Sequence, residues 1–152
     1  MISAGTQVPD LTLRREDGSA FTTADLDGAR TVLVFYPFAF SPVCTDQLSL
    51  YDDLRSDFSA AGATLYGVSC DASPSQTAFR EHLNVEIAQL SDFEPKGEVC
   101  RALGVYHPAG MAERALVLVG PDRAVQWSWV GENPGVLPGA NLIFDALAQT
   151  AS

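Results

Sequence analysis

The chain has 152 residues, the size of one ordinary domain, and 47% of them are hydrophobic against 18% charged, a balance typical of a globular protein. Its 19 acidic and 9 basic residues give a formal charge of -10 at pH 7, which argues against nucleic-acid binding and against attachment to anionic membranes. No signal-peptide pattern is present, and no apolar run approaches the roughly 18 residues of a membrane span. We therefore expect a single domain over residues 1–152, in the cytoplasm.

The first half of the chain predicts an opening hairpin and then alternating strands and helices. The segment PDLTLRREDGSAFTTADL predicts two short strands joined by a turn at Asp17-Gly18. TVLVFY, residues 31–36, is a continuous apolar run typical of a strand buried on both faces. Apolar residues then recur every three or four positions from Cys44 to Ala61, which predicts one amphipathic helix. ATLYGVSC, residues 63–70, predicts a second buried strand.

The second half continues the alternation. Ser73 and Gln76 have the spacing of a capping box with Pro at the first helical position, so we expect a helix to about Leu83. VEIAQLSD predicts a short strand and EPKGEVCRAL a short helix. RALVLVG and AVQWSWV predict two further strands joined by a turn, and ANLIFDALAQ predicts the last helix.

This order of elements predicts an α/β fold with a mixed central sheet, helices on both faces and an N-terminal β-hairpin. A thioredoxin-like sandwich is the leading architecture, and a flavodoxin-like sheet, which the two hairpins disfavour, is the alternative. The two-residue period of a strand places Val125, Trp127 and Trp129 on one face, where we expect them to form core beneath a helix.

Cys44 lies where the loop after the first buried strand enters the next helix. The first backbone N–H groups of a helix have no intrahelical partners and favour an anion. A cysteine in such a place can have its pKa lowered from about 8.5 into the range of roughly 3.5 to 7.5, so that the nucleophilic thiolate predominates. The alternative is a packing role, because a free cysteine often behaves as a small buried hydrophobe.

Pro37, Ser41 and Cys44 form PxxxSxxC, which resembles the peroxiredoxin active-site motif PxxxTxxC with Ser in place of Thr. The resemblance follows peroxiredoxin order over nearly the whole chain, through GTQVPDLTLRREDG, VLVFYPFAFSPVC, LSDFEPKGEVCRALGVY and AERALVLVGPD. The chain is most similar to the alkyl hydroperoxidase E-like group, and next to the Q-type (bacterioferritin comigratory protein-like) group.

The resemblance implies that Cys44 is the peroxidatic nucleophile, whose thiolate attacks a hydroperoxide and becomes a sulfenic acid. It implies that Ser41 offers its hydroxyl to the thiolate and the incoming oxygen. Without the methyl group of Thr, this hydroxyl is held less rigidly. Pro37, with a fixed φ and no N–H, is implied to shape and shield the pocket wall.

The resemblance also implies that Arg114 points its guanidinium at the thiolate and the peroxide. From the residues alone, an arginine that snorkels at the end of a strand is the alternative. Backbone N–H groups at Val43 and Cys44 are implied as further donors. Gln47 is implied to contact the active-site loop or a dimer neighbour, against the alternative of a solvated helix residue.

The other two cysteines, Cys70 and Cys100, have different expected roles. Cys70 ends a buried strand, and we expect it to be core without a redox role. The resemblance to Q-type enzymes implies a resolving cysteine five residues after the nucleophile, but here that residue is Ser49, so a local disulfide in that helix is ruled out. The resemblance to some Q-type enzymes makes Cys100 a candidate resolving cysteine, although its bridge to Cys44 needs Cα atoms within roughly 7 Å. An inert Cys100 is the alternative, as in the E-like group.

The sequence therefore predicts a thiol-dependent peroxidase that reduces hydrogen peroxide and organic hydroperoxides without a bound cofactor or metal ion. The resemblance implies reduction by thioredoxin, by a mycoredoxin or glutaredoxin, or by a low-molecular-weight thiol. It also implies a homodimer built near the active-site loops, to which Phe38, Phe40 or Tyr106 could contribute contacts.

Several functions other than a peroxidase are conceivable for a chain with a cysteine in this place. A dithiol reductase needs CxxC, and here Ser41 stands in place of the first cysteine. A cysteine hydrolase needs a histidine base, and no acyl-transfer signature surrounds His82 or His107. A redox sensor, or a redox-inert interaction domain of the thioredoxin fold, stays open because a sensor uses the same thiolate. The scattered cysteines and histidines show no metal-ligand spacing.

Overall fold

A seven-stranded mixed sheet organises residues 1–150, the part of the chain that the computed structural model describes. Together with a separate two-stranded hairpin, the strands in chain order are β1 Thr12–Arg15, β2 Ala20–Thr22, β3 Arg30–Phe35, β4 Ala63–Ser69, β5 Ala88–Ser91, β6 Tyr106–His107, β7 Met111–Ala112, β8 Ala115–Val119 and β9 Val125–Val130. The large sheet has the order β2-β1-β5-β4-β3-β8-β9. β3, β4 and β5 are parallel, whereas β1 pairs antiparallel with β5 and β8 pairs antiparallel with β3.

Helices connect the strands and cover both faces of the sheet, as predicted. Within residues 1–150 they are α1 Pro42–Asp53, α2 Arg55–Ala60, α3 Ser73–Leu83, α4 Glu98–Ala102 and α5 Ala140–Gln149, with a short 3₁₀-helix at Thr23–Leu26. The opening hairpin is confirmed, and α5 has the bounds that the sequence predicts. No helix in this part of the chain is both long enough and apolar enough to cross a membrane.

The sheet separates two hydrophobic cores. All of β3 is buried, and its alternate side chains enter different cores, as the pleat of a strand requires. The first core includes Val32, Val34, Tyr36, Cys44, Leu48, Tyr51, Phe58, Phe79, Leu116 and Ile143. The second core includes Leu33, Phe35, Val68, Cys70, Leu90, Val99, Cys100 and Val117. Cys44 and the other two cysteines therefore lie on opposite sides of the sheet.

The helix predicted from Cys44 to Ala61 is divided in two. Leu54, between α1 and α2, has φ -104° and ψ 11°, which is outside helical geometry. Beyond this break, Phe58 stacks on Phe144 of α5 with ring centroids 4.4 Å apart. This contact between α2 and α5 accompanies the break, and periodicity along one segment does not reveal it.

The predicted capping box is wrong. The N-cap of α3 is Ala72, and Ser73 is already the first helical residue. Gln76 does not reach back to the start of the helix, because its side chain is buried and donates to Ser69 Oγ at 2.9 Å and to the Leu90 carbonyl at 2.8 Å. A buried amide gains more from these acceptors than from a solvated cap.

The predicted common face of Val125, Trp127 and Trp129 is also wrong. The register between β8 and β9 shifts, so that Leu118 pairs with Trp127 while the next residue, Val119, pairs with Val125. Val125 consequently packs in the second core, whereas both tryptophans pack against the first. A β-bulge breaks the two-residue period, and the strand sequence carries no sign of it.

Candidate active site

Cys44 occupies the first turn of α1 and is completely buried. The segment from Pro37 to Ser41 connects β3 to this helix, and Phe40 within it has a positive φ of 68°, a value that residues other than glycine rarely adopt. Ser41 is the extended N-cap residue, and Pro42 takes the first helical position. This turn aims the N-terminal end of a 12-residue helix, with its unpaired N–H groups, at the sulfur.

Arg114 contacts the sulfur of Cys44. Its Nη2 donates to Cys44 Sγ at 3.1 Å, and its Nη1 and Nε donate to Gln47 Oε1 at 2.6 Å and to the Pro134 carbonyl at 2.7 Å. The side chain is only 2% exposed, so the alternative of a snorkelling arginine is wrong. Three acceptors therefore fix the guanidinium plane in a buried place, with its positive charge beside the sulfur.

Gln47 holds Arg114 in place. It is fully buried, so the alternative of a solvated helix residue is wrong. While its Oε1 accepts from Arg114, its Nε2 donates to Tyr51 Oη at 3.4 Å, and Tyr51 Oη donates to the Pro138 carbonyl at 2.7 Å. Burial raises the pKa of Tyr51 to about 12, which keeps the phenol protonated and able to donate. The sequence suggested a loop or dimer contact for Gln47 and missed this positioning role.

A cavity of about 230 Å³ opens beside these residues. Its wall includes Pro37, Phe38, Ser41, Met111, Arg114 and Pro134. Among the described residues, the buried Ser41 hydroxyl has no hydrogen-bond partner. An unsatisfied buried hydroxyl costs free energy in the empty site, and a polar ligand atom that bonds to it recovers that cost. The cavity therefore combines apolar walls with one fixed cation and one unpaired hydroxyl.

Comparison with known proteins shows the family of this chain. The AhpC/TSA family matches residues 4–128. Alkyl hydroperoxide reductase E of Mycobacterium bovis is 30% identical over 150 residues, which cover 97% of each chain. The chain belongs to the AhpC/TSA family.

Solved structures agree with this assignment. Peroxidoxin BcpB from Mycobacterium tuberculosis superposes with a TM-score of 0.86 at 25% identity, covering 100% of both chains. Xanthomonas campestris peroxiredoxin Q superposes with a TM-score of 0.84 at 27% identity, covering 98% of this chain and 99% of the other. The fold is thioredoxin-like, and this AhpC/TSA-family protein is a thiol-dependent peroxidase of the peroxiredoxin type.

In this AhpC/TSA-family chain, the structure does not bring Cys100 to Cys44. Cys100 lies in α4, in the second core, and its Sγ is 4.0 Å from Cys70 Sγ. The central sheet separates both sulfurs from Cys44. A bridge from Cys44 to Cys100, which the resemblance suggested, would require the active-site turn and α4 to unwind from these positions. Cys70 is buried, as expected, but a second thiol lies beside it.

The carboxylate of Asp92 lies close to the thiols of Cys70 and Cys100. One ligand atom from each of these three buried side chains lies within 4.8 Å of the others. The sequence analysis found no such grouping because the three residues are far apart in the chain. A signal was nevertheless present: Cys70 and Asp92 directly follow β4 and β5, which are parallel neighbours. The carboxyl ends of neighbouring parallel strands meet at one edge of a sheet.

Proposed function

We propose that this peroxiredoxin reduces hydroperoxides at Cys44, with Arg114 and Ser41 acting on the reacting oxygens. The observation that carries the proposal is the 3.1 Å contact from Arg114 Nη2 to Cys44 Sγ, in a buried site beside a cavity. The cavity is the route by which a small peroxide reaches these groups. Pro37 forms part of its wall, which supports the shielding role suggested for that residue.

The reaction follows from the placement of these groups. The Cys44 thiolate attacks the terminal oxygen of the hydroperoxide, so an S–O bond forms while the O–O bond breaks. Arg114 stabilises the negative charge that moves onto the leaving oxygen, and the Ser41 hydroxyl donates a hydrogen bond to the peroxide. N–H groups in the first turn, at Val43 and Cys44, are available for the same charge. The leaving oxygen takes up a proton, and the products are a Cys44 sulfenic acid and water or an alcohol.

We propose that an external thiol reduces the Cys44 sulfenic acid. The thiol sulfur attacks Cys44, water leaves, and a second thiol releases the mixed disulfide. The central sheet between Cys44 and Cys100 supports this route over internal resolution by Cys100. Thioredoxin, a mycoredoxin or glutaredoxin, and a low-molecular-weight thiol are the reductants to compare.

The cavity favours small substrates. At about 230 Å³, with Phe38, Met111 and Pro134 in its wall, it has room for hydrogen peroxide or for a hydroperoxide with a short apolar group. Its apolar side chains favour the alkyl part of such a molecule, while Arg114 and Ser41 bind the oxygens. We therefore propose hydrogen peroxide and small organic hydroperoxides as the substrate class.

Stopped-flow kinetics with mass analysis of Cys44 tests the function. One equivalent of hydrogen peroxide should convert Cys44 to a sulfenic acid far faster than it oxidises free cysteine, and Cys44→Ser should abolish this fast oxidation. Oxidation of Cys44 no faster than that of free cysteine would contradict the proposal and favour an interaction domain. Fast oxidation without turnover by any reductant would favour a sensor.

We propose in addition that two copies associate through the loop before α1. Phe38 and Phe40 are 48% and 52% exposed, and exposed aromatic residues are enriched at interfaces. Tyr106 is a poorer candidate, because it packs against the second core with the Arg101 guanidinium 4.2 Å above its ring. Sedimentation at micromolar concentration should show a dimer that Phe38→Glu weakens. A monomer at that concentration would contradict the association.

A further inference from the structure

Cys70 and Cys100 form a pair of adjacent buried thiols away from Cys44. Cys70 follows the last residue of β4, Cys100 is in α4, and their sulfurs are 4.0 Å apart. To form a disulfide, the two sulfurs need to approach each other by about 2 Å. The two thiols are therefore already neighbours in the folded chain, whereas the central sheet separates both of them from Cys44.

The two thiols differ in acidity. The hydrogen bond between the two thiols lowers the pKa of Cys70, and the nearby Lys96 ammonium acts in the same direction. The same hydrogen bond, burial and the Asp92 carboxylate raise the pKa of Cys100. Cys70 also lines a cavity whereas Cys100 is completely buried, so Cys70 is the thiol that an incoming peroxide meets first. This is the division of labour that a nucleophilic and a resolving thiol need.

Cys70 also has access to small molecules. It lines a cavity of about 270 Å³ together with Asp71, Phe93 and Lys96. Pro37 and Phe38 belong to the walls of both this cavity and the one beside Arg114. A hydroperoxide that approaches one cavity is therefore close to the other. The cation in the second cavity is Lys96, the only lysine of the chain, which can stabilise a leaving oxygen.

We propose that Cys70 and Cys100 are a second site of hydroperoxide reduction, which closes to an internal disulfide without Cys44. Cys70 sulfur attacks the terminal peroxide oxygen; the S–O bond forms, the O–O bond breaks, and the leaving oxygen takes a proton from solvent. The sulfur of Cys100 then attacks Cys70, the S–O bond breaks, and the hydroxide leaves with the Cys100 proton as water. In sum, two thiols and one hydroperoxide yield a disulfide, an alcohol or water, and water.

A metal site made by Cys70, Asp92 and Cys100 is the competing use of the same atoms. It is less favourable because both Asp92 oxygens already accept backbone N–H groups, Oδ1 from Val99 at 3.1 Å and Oδ2 from Cys100 at 2.8 Å. These bonds tie the carboxylate to the start of α4. Zinc needs a fourth ligand in addition, and among the described residues only these three are grouped to offer ligand atoms there.

The test uses the full chain carrying Cys44→Ser, so that failure of the proposed peroxidase site cannot affect it. Hydrogen peroxide is added in increasing equivalents, and peptides are mapped without reduction. We expect a Cys70–Cys100 linked peptide, two hydrogen atoms lighter than the two thiol peptides, to form at least as fast as free cysteine is oxidised. Cys44→Ser with Cys100→Ala should instead give a Cys70 sulfenic acid that a 1,3-diketone reagent traps.

Cys44→Ser with Cys70→Ala is the matched control, in which Cys100 should stay a thiol. The parent variant retains both thiols, so the decisive result does not depend on how well the alanine variants fold. Three results would overturn the proposal. The first is that both thiols stay unmodified at peroxide concentrations that oxidise free cysteine. The second is that the parent variant forms a Cys70 sulfenic or sulfinic acid without a linked peptide. The third is that the parent variant binds one equivalent of zinc and the Cys70→Ala variant does not.

Discussion

Two sulfur sites lie on opposite faces of one sheet and differ in the group nearest to the sulfur. Cys44 has a guanidinium at 3.1 Å, whereas Cys70 has a second thiol at 4.0 Å, with a carboxylate next to that thiol. In the proposed mechanism the fixed cation serves a single reacting sulfur, which an external thiol then reduces. A neighbouring thiol favours a reaction that ends internally. The partner of a buried sulfur, more than its burial, therefore decides its chemistry.

The two sites share part of their construction. Both depend on chain segments that leave the carboxyl ends of the parallel strands β3, β4 and β5, and Pro37 and Phe38 stand between their cavities. The same end of the sheet thus carries both sulfur sites, although their sulfurs face different cores. Variants that change one partner at a time can separate the contributions.

Replacing Arg114 should have the largest effect. Arg114→Met removes the cation and should slow peroxide oxidation of Cys44 by about 10²- to 10³-fold, as loss of a buried transition-state donor does. Arg114→Lys should lie between, because it keeps a charge without the planar fork. Stopped-flow kinetics measures both. Arg101→Met, which removes an exposed arginine on the other side of the sheet, is the control. An unchanged rate in Arg114→Met would contradict the role of the cation.

Removing the hydroxyl of Ser41 should have the next largest effect on the rate. Ser41→Ala should slow oxidation of Cys44 about tenfold, the loss expected for one hydrogen bond to a developing charge. Its free energy of unfolding should not fall, because the hydroxyl has no protein partner to lose within the described residues. Ser41→Thr, which keeps a hydroxyl, should oxidise Cys44 at about the wild-type rate. A stability loss in Ser41→Ala without a change in rate would assign the residue to packing instead.

The hydrogen-bond chain behind Arg114 should affect stability more than rate. Tyr51→Phe removes the bond to the Pro138 carbonyl and the acceptor of Gln47, and should lower the free energy of unfolding by about 1 kcal/mol. The rate should fall only a few-fold, since Gln47 still holds Arg114. Urea unfolding and stopped-flow kinetics check the two effects, with Tyr66→Phe as the control. A rate loss as large as that of Arg114→Met would contradict this order.

Much of the Cys44 site could be predicted from sequence, because its signals are local. Pro37, Ser41 and Cys44 lie within eight residues at a strand-to-helix junction. The contact of Arg114 with the sulfur was predicted from the resemblance to peroxiredoxins. The position of Gln47 behind Arg114 depends on how α1 packs against β8, which no local pattern encodes. Periodicity likewise predicted the hairpin and α5 but missed the bulge in β9, where one extra residue moves the following side chains to the other face of the sheet.

The second sulfur site was missed for the same physical reason. Cys70 and Cys100 are 30 positions apart, and their contact depends on the pairing of β4 with β5 and on the docking of α4. The spacing of residues along the sequence reveals ligands or thiols that share one helical turn or one loop. It does not detect groups that meet only when parallel strands align.

The smallest expected effect concerns Asp92, beside the second pair. Burial raises its pKa above the ordinary value of 3.8, so between that value and the raised one the folded protein holds more protons than the unfolded chain. The contribution of Asp92 to stability therefore falls as pH rises through this window. Relative to Asp92→Asn, the wild type should lose stability there with a slope no steeper than about 1.4 kcal/mol per pH unit, and the difference should level off above it.

Urea unfolding at several pH values measures this dependence. Asp17→Asn is the control of opposite sign, because hydrogen bonds from Ser19 lower the pKa of exposed Asp17. The contribution of Asp17 to stability is present above 3.8 and is lost as pH falls below it. A difference between wild type and Asp92→Asn that does not change with pH would contradict the raised pKa.

Site-resolved oxidation of the wild-type chain tests the comparison most directly. The protein is mixed with less than one equivalent of hydrogen peroxide, quenched within milliseconds, and the oxidation state of each cysteine is read by mass spectrometry. We predict that Cys44 appears first, as a sulfenic acid, and that the Cys70–Cys100 disulfide follows later. Oxidation of Cys70 or Cys100 ahead of Cys44, or at no slower a rate, would contradict the claim that the guanidinium of Arg114 selects the reactive sulfur.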